Sequence, residues 1–236
     1  MSLQTICTNA LYAIGGFDVP SSFYGSSNPT SRMIVAVANE EGCDLERGDR
    51  WQELITEYTF DTVDGTSSYD LPSGFRAFAH MTQWDRTNTW RLTGPVPSMV
   101  WQWLKSGITV ASSATSWFAI RGNQFVVYPT PSDVRTIAFD YYSKLWIVKS
   151  SDSTYSSSWT SDNDEPRLDS GLITAGVKWR FLQAQGMPFE TEYKRWESIK
   201  ESLLSDNGAR AVIDLNSPCP PFPGGNIPET WPDLAP

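Results

Sequence analysis

The spacing of apolar residues changes twice along this chain, and those two changes restrict its fold more than any other feature. Up to about residue 58 apolar side chains recur at the three-to-four spacing of a helix face. From 58 to 148 they alternate, and from 166 to 208 the helical spacing returns. Neither terminal stripe can be buried alone, so the two must pack together, while the alternating middle forms a sheet of its own. The expected fold is α+β: N- and C-terminal helices packed as a bundle, a central antiparallel β domain and an extended C-terminal tail. The expected divisions are 1–57, the N-terminal part of the bundle; 58–149, the β domain; 150–165, a Ser-rich loop; 166–208, the C-terminal part of the bundle; and 209–236, the tail.

Local signals refine this outline. Ser2 precedes Leu3, Ile6, Cys7, Ala10, Leu11 and Ile14 at helical spacing, and Gly15-Gly16 supplies a stop. Asn28-Pro29 opens a second helix carrying Ile34, Val37 and Ala38, with Gly42 as its expected end. Trp51, Leu54, Ile55 and Tyr58 fit one face of a third helical segment. Asp64-Gly65 then lies between YTFDTV and SYDLP as a hairpin signal, and Gly122-Asn123 lies between WFAIR and QFVVY as another. FRAFAHMTQW and RTIAFDYY alternate, Trp90 to Leu92 makes a short strand, and Pro97 to Lys105 a short helix across the sheet. About five or six strands are expected across residues 58–148. Residues 150–161 are Ser at seven of twelve positions, which predicts a solvated loop with no part in a core. Leu168, Leu172, Gly176, Trp179 and Leu182 mark a helix ending at Gly186. Tyr193, Trp196, Ile199 and Leu203 mark the next, ending at Asn207-Gly208.

Composition excludes several functions. A chain of 236 residues buries roughly 70–75% of its unfolded surface, enough to hold a core without disulfides or metal. Cys7, Cys43 and Cys219 are widely spaced and form no CxxC pair, which disfavours a disulfide framework and a zinc site and suits free thiols. No apolar run approaches the roughly 20 residues of a spanning helix, and no membrane association is expected. The N-terminus lacks the layout of an export signal. A formal charge of −9 and a pI near 4.6 oppose binding to nucleic acid, which needs clustered Lys and Arg.

Catalysis has no visible seat, and neither a cofactor nor a metal is expected. His80 is the only histidine, and its position in the alternating run around Phe78 predicts a half-buried strand residue. A Cys43–His80 dyad has no local support. Glu40-Glu41 and Asp164-Glu165 could imitate acid–base pairs, but adjacent acids of this kind are usually solvated, and the second pair also suits the positive end of the following helix. No Gly-rich loop followed by Lys is present to cradle phosphate. Eleven tryptophans are the largest compositional excess. Trp51, Trp179 and Trp196 fall on helical stripes and belong to the core. Trp84, Trp90, Trp101, Trp103, Trp117, Trp146, Trp159 and Trp231 are assigned to core or subunit interface in preference to sugar-stacking platforms.

The order of these signals resembles the adaptor, or connector, proteins beneath the portal of short-tailed and some other bacteriophages. The likeness is carried by ALYAIGG, YTFDTVDGTSSYDLPSGFRAFAHM, FAIRGNQFVVYPTPSDVRTIAFDYYSKLW, DSGLITAGVKWRF and YKRWESIKESL. It implies a non-enzymatic virion protein of the neck: a dodecameric ring between portal and tail, through which genomic DNA passes during ejection without specific binding. The implied partners are the portal protein, neighbouring copies in the ring and a downstream tail or nozzle protein. Another neck or tail-completion protein is the nearest alternative, and a Trp-rich carbohydrate-binding module a more distant one. The resemblance implies that the tail lies along the portal. Residues 209–236 hold seven prolines, which favour an extended chain and reduce the entropy lost on docking. Ile213, Leu215, Phe222, Ile227, Trp231 and Leu234 are its expected partner-binding residues, with Phe222 and Trp231 as anchors.

Overall fold

The computed structural model describes residues 1–106 and 116–207. In chain order its elements begin with α1 (Leu3–Ile14), α2 (Pro29–Gly48) and a single 3₁₀ turn at Gln52–Leu54. There follow β1 (Ile55–Asp61), β2 (Ser68–Asp70), β3 (Phe75–Phe78), β4 (Trp84–Asp85), β5 (Trp90–Arg91) and α3 (Ser98–Lys105). The remainder are β6 (Trp117–Arg121), β7 (Gln124–Tyr128), β8 (Thr136–Ser143), β9 (Ile147–Val148), β10 (Tyr155–Ser156), β11 (Glu165–Pro166), α4 (Ser170–Ala184) and α5 (Glu190–Asn207). The described chain forms two compact units: Glu57–Tyr141 is one, and Met1–Thr56 combines with residues 142–207 as the other. Helices stand at both ends of an antiparallel middle, so the α+β class holds.

In the helical unit α4 is central, packing against α1, α2 and α5. Its core joins Leu3, Ile6 and Leu11 of α1, Ile34, Ala38 and Leu45 of α2, and Leu172, Ile173, Val177 and Phe181 of α4. Ser2 caps α1 through Thr5 N, Asn28 caps α2 through Thr30 N, and Asp169 caps α4 through Leu172 N at 2.7 Å. The expected stop at Gly42 is not one, because α2 continues to Gly48. Gly42 serves packing instead: a Cβ there would lie 2.1 Å from the Trp146 ring. The expected third helical segment shrinks to the 3₁₀ turn. β-Branched and aromatic residues from Ile55 to Phe60 suit a strand, and pairing with β8 supplies one.

The Ser-rich segment corrects the sequence expectation most. Trp159 is only 2% exposed and packs edge-on against Trp146, with ring centroids 5.2 Å apart. β10 and β11 flank β9 in a three-stranded sheet. Carbonyls of Asp164 and Asp162 accept the otherwise orphaned N–H groups of Leu3 and Gln4 at the start of α1, at 2.9 and 3.0 Å. Serine richness marks a segment rich in side-chain-to-backbone hydrogen bonds, folded around one tryptophan.

The second unit is a β sandwich. One sheet runs β1-β8-β4-β5 with β3 also on β8; the other runs β2-β7-β6. Their inner faces meet in an aromatic core in which Phe118, Phe125 and Phe139 stack successively at 4.7 and 5.5 Å. α3 covers the outer face of the three-stranded sheet, burying Trp101 and Leu104 near Ala119 and Val126. The β6–β7 hairpin forms as expected, with Gly122 and Asn123 both at positive φ, 57° and 63°. Asp64-Gly65, by contrast, turns the chain between two sheets: β1 pairs with β8 and β2 with β7. Tyr69 holds that turn, its hydroxyl donating to Thr66 O at 2.6 Å and accepting from Val63 N at 3.1 Å. Among the described residues nine strands, β1 to β9, replace the five or six expected over 58–148, because the alternating runs are cut into short pieces that change partners.

Candidate functional site

Two polar constellations stand out among the described residues. The first lies inside the helical unit. Glu41 on α2 is 0% exposed and accepts from Arg180 Nε at 2.6 Å and from Trp196 Nε1 at 2.7 Å, which ties α4 and α5 to it. The same guanidinium reaches Asp44 at 2.7 Å and Glu40 at 3.2 Å. Gly176 on α4 leaves the room; a Cβ there would meet the Glu41 carboxyl at 2.1 Å. Burial pushes the Glu41 carboxyl above its ordinary range, and Arg180 and Trp196 pull it back. Glu41 is therefore not one of a solvated pair, as adjacency with Glu40 suggests. With the buried Glu41 carboxyl engaged by groups of α4 and α5, the cluster specifies packing within the bundle.

Asp164 departs from expectation in the same way. It accepts from Ser150 N, Thr160 N and Ser161 N and from the Ser150 and Thr160 hydroxyls, at 2.7 to 3.2 Å. Burial raises its pKa, the hydrogen bonds together outweigh burial, and the net shift is downward. Asp169, not the Asp164-Glu165 pair, caps α4. Asp162 receives Ser22 Oγ at 2.6 Å and Tyr24 N at 2.8 Å, fixing the loop between α1 and α2. Cys7, buried in this unit, is pushed up to about 12, first by burial and then by Asp162, so its thiol stays protonated.

The second constellation is a cleft of about 730 Å³ on the outer face of the five-stranded sheet. Alternation along β8 turns Ile137, Phe139 and Tyr141 inward and leaves Ala138 and Asp140 for the outer face. Trp84 lies opposite Ala138 in register. Glu57 and Arg86 form an ion pair across the cleft, and His80, Met81, Thr82 and Thr89 complete its wall. His80 is exposed in a turn after β3, not half-buried in a strand, because Met81 takes a positive φ of 61° and breaks the alternating run. Burial raises the pKa of Asp140, Glu57 adds to the rise and Arg86 opposes it. Thr82 Oγ1 is engaged with the Ala79 and Asp140 carbonyls, at 3.0 and 3.2 Å. The lining offers charge, a histidine and an indole shelf.

Cys43 belongs to the helical unit and His80 to the sandwich. Among the described residues, no group of three or more His, Cys, Asp or Glu is placed to hold a metal ion, and no helix is long and apolar enough to cross a membrane. Trp51, Trp101, Trp146, Trp159 and Trp179 are buried, and Trp84, Trp117 and Trp196 are half-buried, Trp196 less deeply placed than its stripe suggests. Trp90 and Trp103 are exposed. Ile213, Leu215, Phe222, Ile227, Trp231 and Leu234, with the rest of 209–236, lie outside the described residues. The cleft itself was missed in the sequence; its only signal was the interruption of alternation at His80-Met81.

These features define a two-unit α+β scaffold. The chain belongs to the SU10 adaptor protein family, whose pattern it matches over residues 1–212. It is thus a phage adaptor, a structural component of the virion. No curated protein matches it.

Proposed function

We propose that this adaptor is a non-catalytic head-to-tail connector, a ring of twelve copies seated between the portal and the tail of a bacteriophage virion. The observation that carries the reading is the family match across both units, from residue 1 to residue 212. The order of motifs quoted above supports the finer placement by resemblance. The ring would meet the portal on one side and a tail or nozzle protein on the other, with genomic DNA passing through it on ejection. The proposed portal contacts are Ile213, Leu215, Phe222, Ile227, Trp231 and Leu234, where aromatic anchors on an extended chain suit a long groove.

Mixing the full chain with portal purified from the same phage, followed by electron microscopy and mass measurement, tests the reading. Twelve copies per portal are expected, added at the tail-facing end. A different copy number, or no association, would remove it. Truncation after Gly208 should leave a folded chain that attaches poorly; attachment equal to that of the full chain would remove the portal contacts from the tail. Among the described residues five tryptophans are buried and only Trp90 and Trp103 are exposed, so this surface gives the carbohydrate-binding alternative no specific support.

A further inference from the structure

The sandwich has two open faces, and they differ. On one side no described element of the sandwich covers the cleft on the five-stranded sheet. Three carboxylates, Glu57, Asp85 and Asp140, line it against one guanidinium, Arg86. Asp85 is taken by Asn88 and Arg135, and Glu57 by Arg86, whereas the Asp140 carboxylate has no hydrogen-bond or ion-pair partner among the described residues. Met81, Trp84 and Ala138 supply apolar surface between these charges.

On the other side, beyond the three-stranded sheet, α3 turns Met99 and Trp103 outward, 67% and 39% exposed, one turn apart on the same helix face. Neither α3 nor the β6–β7 hairpin beneath it contains an acidic residue. Lys105 and Arg121 lie over the Trp101 ring at 5.6 and 5.4 Å, and neither has a carboxylate partner among the described residues. Asp70, the carboxylate nearest in register, is bonded to Gln124. A chain of net charge −9 thus keeps a basic, aromatic surface on one side of its sandwich and an acidic cleft on the other.

We propose that the α3 face of one copy docks into the outer-face cleft of the next. Lys105 and Arg121 would meet Asp140 and Glu57, and Met99 and Trp103 would lie on Met81 and Trp84. The occupant is a second copy of this chain because the two surfaces complement each other in charge and both carry an apolar centre with a charged margin, as interfaces do. They are different surfaces on opposite sides of one sandwich, so the contact is head-to-tail and repeats, which is what a closed ring requires and a two-fold dimer does not. The inference rests on the ring reading for its closure, and on the two faces for its contacts.

The test uses the full chain with Cys43 and Cys219 replaced by Ser. One variant carries Met99→Cys and a second Met81→Cys, the two positions that docking would bring together while the Asp140 carboxylate is kept. Under mild oxidation the mixture should form disulfide-linked dimers about tenfold faster than either variant alone, because docking raises the local thiol concentration. A chain carrying both changes should give a ladder of multimers. Adding Lys105→Glu to the Met99→Cys chain should slow the mixed reaction by a similar factor while the melting temperature stays unchanged. Equal rates for mixed and single variants, or no effect of Lys105→Glu, would overturn the proposal. Rings of twelve on the portal with no bond between positions 99 and 81 would remove this face pair and leave the ring. A ladder from chains that never form a ring on portal would keep the face pair and remove the ring.

Discussion

At the scale of single residues, much of the helical unit depends on positions where a side chain is missing or a charge is hidden. Gly42 and Gly176 look like helix weaknesses, yet each makes space for one neighbour, the Trp146 ring and the Glu41 carboxyl respectively. Ala at either position should destabilise the chain by about 1–3 kcal/mol in urea unfolding, because the rigid indole and the pinned carboxylate cannot both stay in place and yield to a methyl group. The Glu41–Arg180 pair makes a sharper prediction. Arg180→Met leaves a buried carboxylate unpaired and should cost about 3–5 kcal/mol, whereas adding Glu41→Gln should recover most of the loss. Additive costs in that double-mutant cycle would show the two groups to be independent.

At the scale of elements, the segment from Ser150 to Asp164 behaves as a folded clasp whose stability should follow one carboxylate. Asp164 has a lowered pKa, so its contribution is complete above the ordinary Asp value of about 3.9 and is lost as pH falls through the lower folded value. The gap in melting temperature between the natural chain and Asp164→Asn should therefore be widest near neutral pH and close below about pH 4. A gap that does not change with pH would mean the hydrogen bonds do not depend on the charge. Helix starts were legible in the sequence because Ser2 and Asn28 are chemical caps, and the β6–β7 hairpin because Gly122-Asn123 accepts positive φ at both positions. The clasp was not, since serine content says nothing about whether one Trp159 finds a partner 13 residues upstream at Trp146. Strand partners were hidden for a similar reason: Asp64-Gly65 reports a turn, but which sheet receives β2 is decided by β7, more than fifty residues away. Of the candidate site, the polar residues were visible and their company was not, because adjacency in sequence made solvated pairs of Glu40-Glu41 and Asp164-Glu165.

At the scale of the whole molecule, the net charge of −9 sets the behaviour toward the genome. The full chain should not retain duplex DNA near 0.15 M salt, measured by anisotropy of a labelled duplex, because too few phosphates would be neutralised to release counterions. Tight binding with a steep salt slope would contradict this. The order of the units along the chain carries a different consequence. The helical unit is built from both ends of the described chain, and the strands leading out to the sandwich and back, β1 and β8, run side by side in one sheet. A domain attached through two neighbouring strands can be enlarged, trimmed or exchanged during evolution without disturbing the packing of its host. Thr56 and Tyr142 mark where such grafts would be made, so a lineage could give its adaptors new sandwich surfaces while the helices stayed the same.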